Sequence, residues 1–293
     1  MTSYLVLPHM RVQGANMYNA AFLMGGPPVL AAWFMTHALG RKMDMADHVL
    51  SMAFVLHSQT PLGDLFYAKA GRAKRIANAE HSQTVLGGSF YVMFYPQLRR
   101  GAAYTFGPSR NGTDYSKNKQ ALSLQPVARA HMEVSLVVGI RDLGATEGIN
   151  SLLVGGRLAG GAITSMAKPC LHRTVHEALE HVRTGYVVRD RRDLLEREGA
   201  GNRAEQFVAA LGHKPAENDA LGWLSATCLG YAATTPFEKR AGVREGYEHA
   251  FAEPLIGLVQ YVPIRRCLGE DMATQSLWRS EWTTPDLFRI YQE

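Results

Sequence analysis

The sequence predicts an α+β fold in which two β-α-β units are separated by a long insertion, and three observations carry that expectation. Residues 131–140 alternate strictly, with Met132, Val134, Leu136 and Val138 on one side and His131, Glu133, Ser135 and Val137 on the other, which is the pattern of a strand. Pro27 and Pro28 open an apolar run through Arg41, with Gly40 near its end, which is how a helix starts and stops. Between the units, residues 61–128 are basic and aromatic. Their distal part, 101–126, is rich in Gly, Ser, Asn, Lys and Gln and reads as a loop or mobile hairpin.

Taken in order, residues 4–12 read as the first strand, the helix from Pro28 to Arg41 follows, and 49–57 is a second strand apolar enough to be central. After the insertion come the strand at 131–140, a short helix at 146–154, a glycine-rich bend and a strand at 162–166. This is the split βαβ, or ferredoxin-like, order βαββαβ. The expected organisation is a core from 1–60 and 129–168, a thumb-like insertion at 61–128, and elements packed on the core from 169–293. In that last part, 172–182, 190–198 and 202–211 read as helices, 185–188 as a strand, and 199–219 as an exposed excursion.

Composition narrows the function. At 293 residues, 46% hydrophobic and 19% charged, the chain falls in the soluble globular range. Its three cysteines form no CxxC pair, which favours a reducing compartment and a cytoplasmic location. Residues 12–40 carry no charge, but Gly25, Gly26, Pro27 and Pro28 leave only 29–39 as a clean apolar stretch, short of the ~20 residues a bilayer core requires. The apolar run at 4–7 ends at Pro8 with no basic stretch before it, unlike a signal peptide. No membrane association is expected.

The net charge of +5 is unevenly spread. Residues 65–130 hold ten basic side chains against two acids, a formal +8, which leaves −3 for the remainder. The same stretch holds nine aromatics. Cations for phosphates interleaved with rings for bases suit single-stranded nucleic acid, where each stacked base contributes roughly 1–3 kcal/mol.

Enzyme motifs miss. His176 and Glu177 begin an HExxH pattern, but Glu180 stands where the second histidine belongs. His172 and His176 are four apart with Cys170 near, yet no fourth ligand presents itself, and no metal is expected. The run Gly155-Gly156-Arg157-Leu158-Ala159-Gly160-Gly161 is neither a P-loop nor GxGxxG, so no cofactor is implied. A glycine-rich turn beside Arg157 does allow close approach of backbone N–H groups to a phosphate.

RAHMEVSLVVG at 129–139, followed at helix distance by RLAGGAI at 157–163, resembles the centre of the type I-F CRISPR tail-subunit family, the Csy-two proteins of the Cas-five superfamily. Leu5-Val6-Leu7-Pro8 with Gln13, Ala15 and Asn16 and His37-Ala38-Leu39 is similar to the family's opening. Gly230-Tyr231, Thr235-Pro236, Gly242-Val243-Arg244, Glu253-Pro254-Leu255 and Trp282-Thr283-Thr284-Pro285 are similar to its end. Residues 67–100 depart from the family pattern, and 168–223 is shorter than expected.

The resemblance implies an RRM-type fold of the RAMP superfamily and a non-catalytic role in antiviral defence. Such a subunit grips the 5′ handle of crRNA and pairs with the large, Cas-eight type, subunit. Its thumb meets the first backbone, Cas-seven type, subunit, and target DNA is reached through the complex. On that basis Gln13 and Asn16 are expected to bond bases or sugars. Arg110, Asn111, Lys117 and Lys119 in the thumb would meet RNA backbone or the neighbouring subunit. Arg129 and His131 would lie against the handle, Arg157 with Gly160 and Gly161 would hold a phosphate, and Arg244 is a further RNA contact. The rival expectations are a repeat-cleaving endoribonuclease using His37 or His131 as general acid or base, and a protein-docking module that makes no RNA contact.

Overall fold

Leu5, Val6 and Leu7 are all fully buried, so the first strand is covered on both faces, as befits the middle of a large sheet. The computed structural model describes residues 2–20, 23–69, 90–96, 129–195, 202–212, 222–243 and 246–293. Strand β1 spans Thr2–Asn16 and is followed by a small hairpin, β2 (Tyr18–Ala20) with β3 (Leu23–Met24). Helix α1, Val29–Lys42, starts at Pro28, whose missing N–H costs nothing in a first turn. Strand β4 then spans Val49–Lys69.

The chain divides into two compact units, one of Met1–Gln59 with His131–Glu293 and the other of Thr60–Ala130. In the second unit, strand β5 (Phe90–Pro96) pairs antiparallel with the far part of β4, from Gly63 opposite Pro96 to Lys69 opposite Phe90. The thumb-tip stretch 101–126 lies outside the described residues.

Strand β6, Arg129–Arg141, is the alternating strand the sequence announces. After it come helix α2 (Ile149–Leu153), strands β7 (Arg157–Leu158), β8 (Gly161–Ser165) and β9 (Cys170–His172), helix α3 (Val175–Val182) and strand β10 (Tyr186–Asp190). Helix α4 (Arg203–Gly212), strands β11 (Leu224–Ala233) and β12 (Ala252–Pro263), helix α5 (Glu270–Thr274) and strands β13 (Arg279–Thr284) and β14 (Leu287–Tyr291) complete the order.

The main sheet runs β13-β14-β11-β12-β10-β4-β6-β1-β8-β7, with β9 also paired to β1. Among the described residues the protein is therefore a strand-rich mixed α/β fold built on one large antiparallel sheet. The second, third, first and fourth strands expected from the sequence lie side by side as β4, β6, β1 and β8. Strand β10 sits on the far side of β4, Val187 opposite Val55, and through β10 the C-terminal strands extend the sheet.

On one face, α3 supplies Val175, Ala178, Leu179 and Val182 to a core with Val6, Ala53, Val55, Val137 and Val187. Alternate residues of the same strands, among them Met52, Phe54 and Leu136, are buried on the other face. Before α1 the chain presses on β11: a Cβ at Gly26 would stand 1.9 Å from the Ala226 carbonyl oxygen, and the Thr227 hydroxyl donates to the Pro27 carbonyl at 2.7 Å.

Three expected helices are corrected. The one at 172–182 begins only at Val175, because Thr174 accepts from the Glu177 N–H and Glu177 reaches back to the Thr174 N–H, a capping box. His172 ends a strand instead. Of the one at 190–198, the described residues 190–195 are a strand end and a single 3-10 turn, Arg192–Leu194, and 196–198 lie outside the described residues. The Asp190 carboxylate takes the Arg192 N–H at 3.0 Å, a local bond that competes with helix. The helix at 146–154 is only the five residues of α2. Of the expected excursion at 199–219, residues 202–212 are described, and α4 holds most of them.

Candidate nucleic-acid interface

Beyond the end of α3 the same sheet face turns polar, and a backbone irregularity in β1 arranges it. His9 has φ +50°, uncommon for a residue with a Cβ, and the pairing with β8 shifts between Arg11 and Val12. The His9 N–H donates to the Ser135 hydroxyl at 2.9 Å, and its ring Nδ1 lies 2.8 Å from a Glu133 carboxylate oxygen. His57 on β4 stacks on His9 with ring centroids 4.3 Å apart, and its Nε2 is 2.7 Å from the Ser135 hydroxyl. Arg11 reaches the other Glu133 oxygen at 4.0 Å. Three adjacent strands are thus tied by one polar network.

Its protonation is set by burial and by neighbours. Burial first, then the nearby His9, lowers the His57 pKa to about 4, although Glu133 opposes this. At neutral pH His57 is therefore uncharged, and its Nε2 can accept the Ser135 O–H. The bond from His9 is the main reason the Glu133 carboxyl lies below its ordinary value, against burial, with His57, His9 and Arg11 helping.

Because the unfolded chain holds a proton on His57 at pH values between 6.5 and about 4 where the folded chain does not, stability falls as the pH drops through that window. Glu133 acts in the same direction, its contribution being lost on acidification. Allowing for solvent screening at a half-buried site, the expected loss is on the order of 2 kcal/mol. His57→Gln, which leaves Ser135 a partner, should flatten the dependence. Urea midpoints at pH 7 and pH 4.5 measure it, and an unchanged slope in the variant refutes it.

Beside this network lies the edge that holds five of the expected contacts, Gln13, Asn16, Arg157, Gly160 and Gly161. Gln13 is paired with Ala162, and Ala162 with Arg157, so Gln13 and Arg157 share one face across β1, β8 and β7. Both are exposed. Ala159 at φ +48° and Gly160 at φ +75° form the two-residue turn between β7 and β8, the left-handed pair such hairpins require. The Asn16 N–H donates to the Ala159 carbonyl at 2.8 Å, which fastens this turn to the end of β1.

The residues of the turn differ in character. Gly160 is exposed, and a Cβ there would meet nothing within 4 Å. Gly161 is buried against β1, where a Cβ would stand 2.6 Å from the Ala15 nitrogen, so its smallness serves packing. The Asn16 side chain is used locally, its amide bracketing the Tyr18 N–H and carbonyl at 3.1 and 3.2 Å. Exposed His131 accepts the Gly14 N–H on Nδ1 at 3.2 Å, which places it next to this edge.

Arg129 belongs to the other unit, where it begins β6 half-buried. Arg110, Asn111, Lys117, Lys119 and Arg244 lie outside the described residues. Sequence reasoning missed His9, Arg11 and His57; the signal available was a charge and two histidines in strands otherwise apolar.

His37 is placed elsewhere. Its ring tilts against Trp33, centroids 4.9 Å apart, its buried Nε2 has no hydrogen-bond partner among the described residues, and burial with Arg41 beside it lowers its pKa. It lines a groove with Phe34, Tyr231, Phe237, Trp282 and Phe288, in which Trp282 is 58% exposed. No helix among the described residues is long and apolar enough to cross a membrane.

Comparison with known proteins gives no match among curated sequences. A family model described as CRISPR-associated protein (Cas_Csy2) matches residues 74–290. That span takes in β6, the β7–β8 turn and the C-terminal strands up to Ile290, and leaves β1 and α1 outside it. Since it covers well over half of the chain, this protein belongs to the CRISPR-associated Cas_Csy2 family of type I-F complex subunits.

Proposed function

We propose that this chain is the non-catalytic subunit that binds the 5′ handle of crRNA at the tail of a type I-F surveillance complex. Its core is an RRM-type, ferredoxin-like fold of the RAMP kind, a reading supported by the strand order β4-β6-β1-β8 with α1 and α2 between successive strands. The observation that carries the proposal is the exposed row from Gln13 to Arg157 beside His131, on a sheet face that α3 leaves open. Single-stranded RNA is read by polar side chains and stacking on such a surface. The basic insertion, with Arg110, Asn111, Lys117 and Lys119, serves the guide and the first backbone subunit, and Arg244 is a further RNA contact.

Co-expression with the large and backbone subunits and a repeat-spacer array, followed by purification through a tag on this chain, tests the reading. Discrete RNAs with one shared 5′ end should be recovered and should resist high salt. Charge reversal of Arg110, Arg129 and Arg157 together should remove them and reduce the salt dependence of what binding remains. An assembled complex with no RNA, or with only heterogeneous RNA, overturns the proposal. Repeat RNA incubated with the chain should stay intact; specific cleavage lost in His131→Ala would make the protein an endoribonuclease instead.

The aromatic groove around Trp282 supports the pairing with a protein subunit, since exposed aromatic clusters of this kind anchor interfaces. Trp282→Ala should weaken capture of the large subunit by at least about tenfold while leaving the fold intact by circular dichroism. Unchanged capture places that contact elsewhere.

A further inference from the structure

Cys170 and His172 stand two apart on β9, so their side chains share a face of the strand. His181, from the last turn of α3, brings its ring against that of His172, with centroids 5.1 Å apart. Cys170 Sγ lies 3.4 Å from His172 Nε2, and the donor atoms of all three residues lie within 4.8 Å of one another. His176, which sequence spacing would have chosen, is not part of the group: its Nδ1 bonds the Leu268 carbonyl and its Nε2 faces Glu180.

The spacing suits a small tetrahedral ion. With Zn–S about 2.3 Å and Zn–N about 2.0–2.1 Å, the S···N edge of a tetrahedron is about 3.5 Å and the N···N edge about 3.3 Å. The Cys170–His172 edge is therefore already near its metal-bound length. The remaining edges close by at most about 1.5 Å, which rotation of the exposed His181 side chain supplies.

The three ligands are also held in place by backbone. Strand β9 is zipped to β1, Cys170 opposite Val6 and His172 opposite Tyr4, and α3 is fixed at its start by the Thr174 capping box. Among the described residues, no hydrogen bond to a fourth residue engages the three donor atoms. Burial raises the Cys170 thiol pKa, and burial with His181 beside it lowers that of His172, so both of these side chains favour their neutral forms. Glu177, which opposes the shift of His172, is the acid that faces it.

We propose that Cys170, His172 and His181 bind one zinc-class divalent ion, the fourth position being left to water. On binding, the Cys170 thiol gives its proton to solvent, one S–metal and two N–metal bonds form, and the six-coordinate aqua ion keeps one water and releases the other five. Thiolate with imidazole selects zinc-class ions over magnesium or calcium. The ion would staple β9 to α3.

The full-length chain, stripped with a chelator and titrated with cobalt(II) as the spectroscopic stand-in for zinc, tests this. The expected result is one equivalent bound, with a thiolate-to-cobalt charge-transfer band and the visible bands of four-coordinate cobalt, all displaced by zinc. Cys170→Ser should abolish the charge-transfer band. His181→Gln, at an exposed position that does not endanger the fold, should weaken binding at least tenfold, and His176→Gln should leave it unchanged. A cobalt spectrum without the thiolate band overturns the proposal, as does binding that is the same in Cys170→Ser and His181→Gln as in the parent.

Discussion

Replacing Trp278 by alanine is expected to lower the unfolding free energy by about 3–5 kcal/mol, a large part of the stability of an ordinary domain. Trp278 is fully buried, and its indole N–H donates to the Val188 carbonyl on β10 at 3.0 Å. Its backbone exchanges two hydrogen bonds with Met52 on β4, at 2.9 and 2.7 Å, so one residue joins the C-terminal segment to the middle of the sheet. Most of the cost is the cavity, because the Val188 carbonyl keeps a second donor in the Gln292 amide at 3.2 Å. Trp278→Phe, which fills most of the space and drops only the N–H, should therefore cost less, about 1–2 kcal/mol. Urea unfolding followed by circular dichroism separates the two; equal losses would show that the hydrogen bond, and not the packing, dominates.

The prominence of Trp278 also shows where sequence reasoning stops. Strand β6 was legible because its alternation is strict, and α1 because Pro28 fixes where a helix can begin. The C-terminal strands were not: β11 reads LSATCLGYAA, small residues with little period, and β12 carries Pro254. What makes them strands is pairing with each other and, through β10, with a partner more than 120 residues earlier. The polar network divides the same way. His131, Glu133 and Ser135 share a face by simple alternation. His9 and His57 join them only through strand neighbours far apart in sequence and a positive φ at His9 that no pattern of residue types announces. The Thr174 and Glu177 capping box was readable in the sequence and corrects the start of α3; the Asp190 to Arg192 bond needs the structure.

Two features of this face belong together. The sheet is closed by α3 where Val6, Ala53, Val55 and Val137 need cover, and left open where His9, His57, Glu133 and Gln13 carry the polar groups. A continuous apolar surface would have bound another helix or aggregated. The network instead satisfies its own hydrogen bonds across β4, β6 and β1, so the surface stands ordered in water with Gln13, His131 and Arg157 at its rim. That division explains why the apolar half is legible as core while the polar half emerges only when the strands are paired.

The second large effect is expected at the β7–β8 turn, where two neighbouring glycines should respond oppositely. At Gly161 an added Cβ would lie 2.6 Å from the Ala15 nitrogen and 2.7 Å from its Cα, both backbone atoms of β1 that cannot swing aside. Gly161→Ala should therefore push the hairpin off β1, strain the bond from the Asn16 N–H to Ala159, and cost about 1–3 kcal/mol. At Gly160 the same methyl meets nothing within 4 Å, and only the φ of +75° resists it, which costs about 1 kcal/mol. In the assembled complex, Gly161→Ala should also displace Arg157 from its row with Ala162 and Gln13 and lower RNA recovery, while Gly160→Ala should retain it. If the turn acted on RNA through the open backbone at Gly160 rather than through the position of Arg157, the order would reverse, with Gly160→Ala losing RNA at nearly unchanged stability. Unfolding midpoints and RNA yield, measured on the same two preparations, distinguish a hairpin that serves as a platform for Arg157 from one whose own amides hold the phosphate.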